Sequence, residues 1–480
     1  VCVGCHGRSG MGVGEGQTIV PPVAGSKLYR AREFRHRQSS DVRTLRPAYS
    51  DETLARVIRT GIDPSGRSLD AMMPRYTLDD SDVSRLISYL KSLSSHPSPG
   101  VDATDIHFAT IVTSGVDPRK RQALLDVLEG FVASKSAETR HEASRAQHSP
   151  TPMEWHYQAY RKWNLHVWDL TGPPETWRNQ LEQLYDRQPV FAVIGGIGSG
   201  SWRPIHEFCE QRQVPCLLPN TDLPVVSETD YYSVYFSKGI VLEAQVLAKH
   251  LSEQQTAPVV QVYRPRADGM AAAAAFREAM QQRGLIDVQD RMVDDRVRIT
   301  RSLWQSLQTK GRAQRFVLWL DEADLADIQS RGESDSAAPR LYISSTLAGS
   351  SLAPLASKYA GEIYAVQLRD LPADSARRLR VLDVWMRGKG IPMTDAPLQA
   401  NTLFAATLAA QALKHIGSNF HRDYFIERIE HIFDSMVTPS AYPRPSLGPN
   451  QRYASKGGYI LRMPSGSVGE LTQRGEWIVP

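Results

Sequence analysis

The sequence predicts two units of different class: a small all-α domain over residues 1–93 and a larger two-lobed α/β domain with parallel sheets over 105–480. Three observations predict it. The chain opens on Cys2-Val3-Gly4-Cys5-His6, a signature whose chemistry needs a short helical turn. A Ser- and Pro-rich stretch, 94–104, then breaks every periodic pattern and reads as a short, stiff linker. Beyond it, short apolar runs alternate with amphipathic helical segments, the pattern of parallel sheets covered by helices. The roughly 375 residues after the linker exceed one compact core, hence the two lobes.

The opening C-x-x-C-H signature is that of covalent c-type haem attachment. Two thiols three positions apart on one turn reach the two vinyl groups of a haem, and the next imidazole reaches the iron. Cys2 and Cys5 are therefore the attachment residues and His6 the proximal ligand. Zinc would need two further ligands nearby, but the other cysteines are Cys209 and Cys216. A thioredoxin-like dithiol would follow a strand, whereas this pair leads into a loop with Gly7, Gly10, Gly12, Gly14 and Gly16. One covalently bound haem c, with its iron, is expected.

The rest of the small domain reads in order. Ser50 caps a helix with Asp51 and Glu52 in its first turn, Leu54, Val57 and Ile58 on one face, and Gly61 at its end. A second helix opens at Asp79 or Asp80 and shows Val83, Leu86, Ile87 and Leu90 at i, i+3, i+4 and i+7. Just before it, Met72-Met73-Pro74 offers Met73 as the sixth iron ligand. Residues 1–100 carry 14 Lys and Arg against 10 Asp and Glu, which is the chain's whole net charge of +4. Lys27, Arg30, Arg32, Arg35, Arg37, Arg43 and Arg46 face only Glu33 and Asp41, so this run is either a solvated loop or a docking patch for an acidic redox partner. It lacks interleaved aromatics, so nucleic acid is not an expected partner.

These ninety residues resemble the class I cytochrome c family in the haem signature, in Pro21-Pro22-Val23-Ala24-Gly25, in the Met73-Pro74 pair and in a last helix ending Tyr89-Leu90-Lys91-Ser92-Leu93. The resemblance implies electron transfer, haem attachment outside the cytoplasmic membrane and hence the periplasm. It also implies that the Pro21 carbonyl accepts a hydrogen bond from the His6 imidazole and tunes the iron. The family's helix before the signature is missing, so the sequence reads as a fragment or trimmed chain, and the lack of a signal peptide says nothing of residence.

In the larger domain, strands are expected at 106–113, 165–169, 190–194 and 215–218, with helices at 118–133, 175–185 and 202–211 and a polar insert at 134–152. A second set of strands follows at 233–236, 259–263, 316–320 and 341–344, with helices at 240–252, 269–283 and 302–309. No stretch is apolar enough to span a membrane. Cys209 and Cys216, seven apart, leave open a disulfide or two buried thiols.

The ordering resembles the type I periplasmic binding proteins, in particular the branched-chain amino-acid-binding group of ABC transporter substrate-binding proteins. The resemblance rests on Val193-Ile194-Gly195-Gly196 with Gly198-Ser199-Gly200-Ser201, on Val214-Pro215-Cys216-Leu217-Leu218-Pro219-Asn220-Thr221, and on Gly448-Pro449-Asn450-Gln451-Arg452 before a strand at 457–462. It implies one lobe over about 105–225 and 363–438, another over about 230–360 plus the C-terminal stretch, and three crossings between them. A small-molecule ligand would sit between the lobes at the carboxyl ends of the strands. By position, Ser199, Ser201, Asn220 and Thr221 would contact it from the first lobe, and Tyr263, Asp321 and Ser345 from the second. The family's usual Phe-Arg-Thr reads Tyr235-Phe236-Ser237 here, and its Tyr-Gly-x-Gly is replaced around Ala267-Asp268-Gly269, which leaves the ligand unnamed. The 195–200 glycine run is not a dinucleotide loop: it follows the third strand, and its spacing is not G-x-G-x-x-G.

Together these readings give a periplasmic mono-haem electron carrier fused to a small-molecule-binding domain that docks or couples it to a redox partner such as a periplasmic dehydrogenase. The alternative is a solute-binding receptor for a small polar or amino-acid-like ligand, with the haem as sensor or accessory. No nucleophile and base stand together in the pattern, so an enzyme is not expected.

Overall fold

A computed structural model of the chain describes residues 2–15, 18–35, 43–148, 161–254, 258–284, 287–309, 315–326, 328, 338–359, 361–463 and 475–480. In the small domain the helices are α1 (Val3–His6), α2 (Gly25–Leu28), α3 (Asp51–Thr60) and α4 (Asp80–Ser92). The Ser50 hydroxyl accepts from the Thr53 amide at 3.2 Å while Thr53 Oγ1 accepts from the Ser50 amide at 2.8 Å, so the first turn of α3 is reciprocally capped. Gly61 ends α3 in the left-handed conformation, φ +75°. The expected faces meet: Leu54, Val57 and Ile58 pack with Val83, Ile87 and Leu90, together with Leu28 and Tyr49. A β-carbon on Gly25 would stand 2.7 Å from the Lys91 Cα, so only glycine lets α2 approach α4 so closely.

The all-α class stands, with two short antiparallel ribbons added: β1 (Gly14–Glu15) with β2 (Thr18–Ile19), and β3 (Arg32–Arg35) with β4 (Arg43–Arg46). Part of the basic run lies in the second ribbon, and its residues 36–42, Arg37 and Asp41 among them, lie outside the described residues. Arg46 is no surface charge. It is buried, donates to the carbonyls of Leu28, Pro47, Lys27 and Arg30, and lies 4.6 Å over the Tyr49 ring.

The large domain has two sheets. The first orders β6 (Lys162–Asp169), β5 (Asp105–Val112), β7 (Ala192–Ile194), β8 (Cys216–Leu217) and β9 (Ser233–Val234), all parallel. Its helices are α5 (Pro118–His148), α6 (Trp177–Arg187) and α7 (Arg203–Arg212). The second sheet orders β11 (Val288–Met292), β10 (Val259–Tyr263), β12 (Arg315–Trp319), β13 (Arg340–Ser344) and β14 (Ile363–Gln367) in parallel, then β15 (Gly458–Met463) and β16 (Glu476–Ile478) antiparallel. With it go α8 (Ile240–Glu253), α9 (Ala267–Gln282), α10 (Arg301–Thr309), α11 (Glu322–Leu325), α12 (Ser345–Ala348) and α13 (Leu352–Lys358). The chain then returns to the first lobe as α14 (Pro372–Lys389), α15 (Ala396–Ile416) and α16 (Arg422–Ile432). α15 is apolar on almost every side and sits in the core between α5 and α16.

Three sequence expectations change. The stretch read as a polar insert from 134 continues α5 as far as His148. It lacks an apolar stripe, so periodicity misses it, but its Ala, Glu, Lys and Arg are strong helix formers. The first lobe boundary moves, because β9 pairs with β8 in the first sheet rather than opening the second lobe. The second moves too: β14, from Ile363, lies in the second sheet, and the return to the first lobe falls after Gln367. The crossing stretches run side by side: the Tyr235 amide donates to the Arg452 carbonyl at 2.8 Å, and the Asp370 amide to that of Ala441 at 2.9 Å. The linker is pinned to the first lobe, the Ser98 amide donating to the Phe420 carbonyl at 2.8 Å.

Candidate functional site

α1 is a single turn, and it holds Cys2, Cys5 and His6 together. Both thiols are exposed, and the His6 side chain turns inward. His6 Nδ1 lies 2.9 Å from the Pro21 carbonyl oxygen. A carbonyl can only accept, so Nδ1 carries a proton, and in the neutral imidazole the lone pair is then on Nε2. Gly12 makes the approach feasible: its φ is +73°, and a β-carbon there would strike the Val20 and Pro21 backbone. The glycine loop folds back in the same way, with the Gly12 amide bonded to the His6 carbonyl at 3.0 Å.

The methionine loop comes to the same place. Met73 is half-buried, whereas Met72 is 77% exposed and points to solvent. Arg75 staples the loop by donating to the carbonyls of Leu69 at 2.9 Å and of Asp70 and Met73. The Arg75 guanidinium occupies the space where any β-carbon on Gly61 would lie. Tyr76 Oη stands 3.9 Å from Cys2 Sγ, which ties this loop to α1. Two free thiols on one turn, an imidazole with its Nδ1 engaged and a thioether on the loop that Tyr76 ties to α1 form a donor set that fits a c-type haem. When bound there, the haem iron supplies one-electron redox chemistry.

The haem loop also rests on the first lobe, which the sequence does not foretell. Glu427 of α16 accepts from the Ser9 amide at 2.8 Å and the Ser9 hydroxyl at 2.6 Å, and it packs on Gly7. Arg8 reaches Asp423 at 3.5 Å and lies over the rings of Tyr231 and Tyr232. Burial pushes the Glu427 carboxyl up to about 6, even though both bonds from Ser9 favour its charged form.

In the large domain the carboxyl ends of the two parallel sheets carry the expected cleft residues. Ser199, Ser201, Asn220 and Thr221 lie on two adjoining loops of the first lobe, joined by the bridges Ile197 to Asn220 and Ser201 to Leu223. Tyr263 ends β10, and Asp321 and Ser345 follow the neighbouring strands β12 and β13 of the second. Several of these groups already have partners. The Ser199 hydroxyl donates to the Ser114 carbonyl at 3.0 Å, and Asn220 is held between Gly196 and Asn401. Asp321 caps α11 and pairs with Arg266 at 2.5 Å; burial alone would raise its carboxyl, but the amide of Asp324 and Arg266 hold it below the usual range. Ser345 leans on Glu243 at 3.4 Å. Among the described residues, Ser201 and Thr221 accept only from nearby amides, and their hydroxyl protons have no acceptor there.

Sequence reasoning missed the charges on the cleft floor. Burial raises the Asp222 carboxyl, with Arg369 and Lys120 opposing the shift and Asp268 adding to it. The fully buried Glu243 accepts from Ser344, Thr346 and Ser345, and burial pushes its carboxyl up to about 7. No pattern marks these residues, because each sits singly in a loop or at a helix start. Cys209 and Cys216 are both buried and unlinked, and burial raises the Cys209 thiol well above its usual value. Among the described residues, no group of three or more His, Cys, Asp and Glu could hold a metal ion, and no helix is long and apolar enough to cross a membrane.

Two parallel-dominated sheets joined by adjacent crossing stretches are the architecture of the type I two-lobed binding fold. The family model described as periplasmic binding protein matches residues 161–466, and the chain belongs to that family. A second model, cytochrome c, matches residues 1–94. A fatty acid ABC transporter substrate-binding protein from Thermomonospora curvata is similar at a TM-score of 0.52 and 15% identity, over 79% of this chain and 94% of its own. A branched chain amino acid ABC transporter protein from Thermus thermophilus, with bound valine, is similar at 0.52 and 12% identity, over 78% and 97%. A periplasmic binding protein type 1 from Bordetella pertussis is similar at 0.53 and 14% identity, over 78% and 100%. No curated protein matches. The cytochrome c domain implies covalently bound haem c and electron transfer, and the second domain implies ligand binding. Both are non-catalytic kinds, typically found outside the cytoplasm.

Proposed function

We propose that the chain is a periplasmic electron carrier with one haem c, attached through Cys2 and Cys5 and ligated by His6 and Met73, whose second domain binds a small molecule and couples the carrier to a redox partner such as a dehydrogenase. The observation that carries the reading is the bond from His6 Nδ1 to the Pro21 carbonyl at 2.9 Å, which fixes the imidazole tautomer that an iron needs. The half-buried Met73 beside an exposed Met72 supports Met73 as the sixth ligand. Replacing Met73 with Ala is expected to abolish the thioether-to-iron band of the oxidised protein and to lower the reduction potential, since a His/Met pair favours ferrous iron. Met72→Ala should do neither; the reverse pattern would move the ligand by one residue.

A second reading is favoured by the cleft, where the hydroxyl protons of Ser201 and Thr221 have no acceptor among the described residues. In it the chain is a solute receptor and the haem an accessory. The similar structures are described as fatty acid and branched chain amino acid proteins, so the ligand is taken to be a small molecule of comparable size, polar or amino-acid-like. The readings part on one comparison: a receptor should bind its ligand equally well when Cys2 and Cys5 are both replaced with Ala.

A further inference from the structure

Glu427 of α16 is a buried carboxylate with both oxygens turned onto the haem loop. Oε1 accepts from the Ser9 amide at 2.8 Å and Oε2 from the Ser9 hydroxyl at 2.6 Å. Ser9 is itself buried, and among the described residues no cation forms an ion pair with the carboxylate. A carboxylate buried without a counter-charge is a costly way merely to dock two domains. The approach is also closely fitted: Gly7, the residue after His6, has φ +74°, and a β-carbon there would stand 2.7 Å from Glu427 Oε1.

Ser9 passes this anchor to both sides of the bond between His6 and Pro21. Its hydroxyl gives its proton to Glu427 and accepts from the Met11 amide at 3.1 Å. One residue before Met11, the Gly10 carbonyl accepts from the Val23 and Ala24 amides at 2.7 and 3.0 Å, which holds the segment that carries Pro21. One residue after it, the Gly12 amide donates to the His6 carbonyl at 3.0 Å. We propose that Glu427 is a positioning residue for the haem: through Ser9 it aligns the Pro21 carbonyl with His6 Nδ1, so that the large domain sets the reduction potential of the small one. This rests on reading His6 as the ligand of the iron. A firmly held bond from Nδ1 makes the imidazole a stronger donor, which favours ferric iron and lowers the potential.

The test uses the full chain with haem and reads two quantities: the midpoint potential, and the solvent exchange of the His6 Nδ1 proton in the reduced protein by NMR. Glu427→Gln keeps the length of the side chain but cannot accept from both Ser9 donors, so the potential should rise and the proton should exchange about fivefold faster or more. Ser9→Ala cuts the same chain from the loop side and should do likewise, and the two together should add little to either alone. This variant carries the test if the Glu427 variant misfolds. Asp423→Asn removes a carboxylate of the same helix that, among the described residues, meets the haem loop only through Arg8, and it should leave the exchange at the parent rate. If Glu427→Gln lowers the melting temperature while potential and exchange stay at parent values, the contact is docking alone and the proposal is wrong. A potential that rises equally in Asp423→Asn, with exchange unchanged throughout, makes the effect one of charge and also overturns it. A parent chain whose haem is not ligated by His6 would strike the haem reading itself, and the proposal with it.

Discussion

His6 and Glu427 flank the same glycine loop, one through its imidazole Nδ1 on the Pro21 carbonyl and the other through Ser9. The first contact is legible in the sequence, because the C-x-x-C-H spacing and the following Pro-x-x-x-Gly are local patterns that resemble a known family. The second is not: Ser9 and Glu427 stand 418 positions apart, and nothing near either residue marks it. Glu427 has a measurable consequence. Its folded value is raised from 4.5 to about 6, so between those values the folded chain holds a proton that the unfolded chain has released. Stability from this group is therefore lost as pH rises through that window, by about 2 kcal/mol in all. Glu427→Gln should remove that part of the slope between pH of about 4.5 and 7 in denaturant titrations, at the temperature of the unchanged chain. Glu243 contributes a slope of the same sign in both proteins, so the difference between them isolates Glu427. Equal slopes would contradict the account.

Among elements, α16 does the most to join the parts. Its first residue, Arg422, is buried and donates to the carbonyls of Pro99 at 3.3 Å, Phe191 at 3.0 Å, Arg212 at 3.2 Å and Val190 at 2.5 Å, and to the Tyr185 hydroxyl at 3.0 Å. One side chain thus ties the linker, the entry to β7 and the end of α7. Arg422→Ala strands several buried carbonyls and should cost about 3 kcal/mol or more, read as a lower denaturant midpoint with the haem spectrum unchanged. A shift of a few tenths would show that water replaces the guanidinium. Elements with an apolar stripe, such as α4 and α6, are readable from period alone. The far half of α5 is not, since its sequence carries no apolar stripe and only its helix propensity speaks for it.

At the scale of the molecule, most strands of the large domain were legible along the chain, though not β11, β14 or β16, and lobe membership was not. β9 and β14 are short apolar runs in a chain with two parallel sheets, and nothing in such a run says which sheet it joins. The crossing points follow from long-range pairing, β9 on β8 and β14 on β13. The haem loop and linker bond to the first lobe, through Ser9, Arg8 and Ser98. Movement of the second lobe onto a ligand should then leave the haem spectrum and reduction potential unchanged; a potential that shifts with ligand would favour the haem as a sensor.

All of this depends on a haem held by Cys2, Cys5 and His6. The most direct measurement is a pyridine haemochrome spectrum of the full chain before and after acid acetone extraction, scaled to protein. One c-type haem per chain, retained through extraction and lost in Cys2→Ala with Cys5→Ala, is the predicted result. A chain that gives up its haem to the solvent, or that binds none when matured with haem-attachment machinery present, would contradict the account.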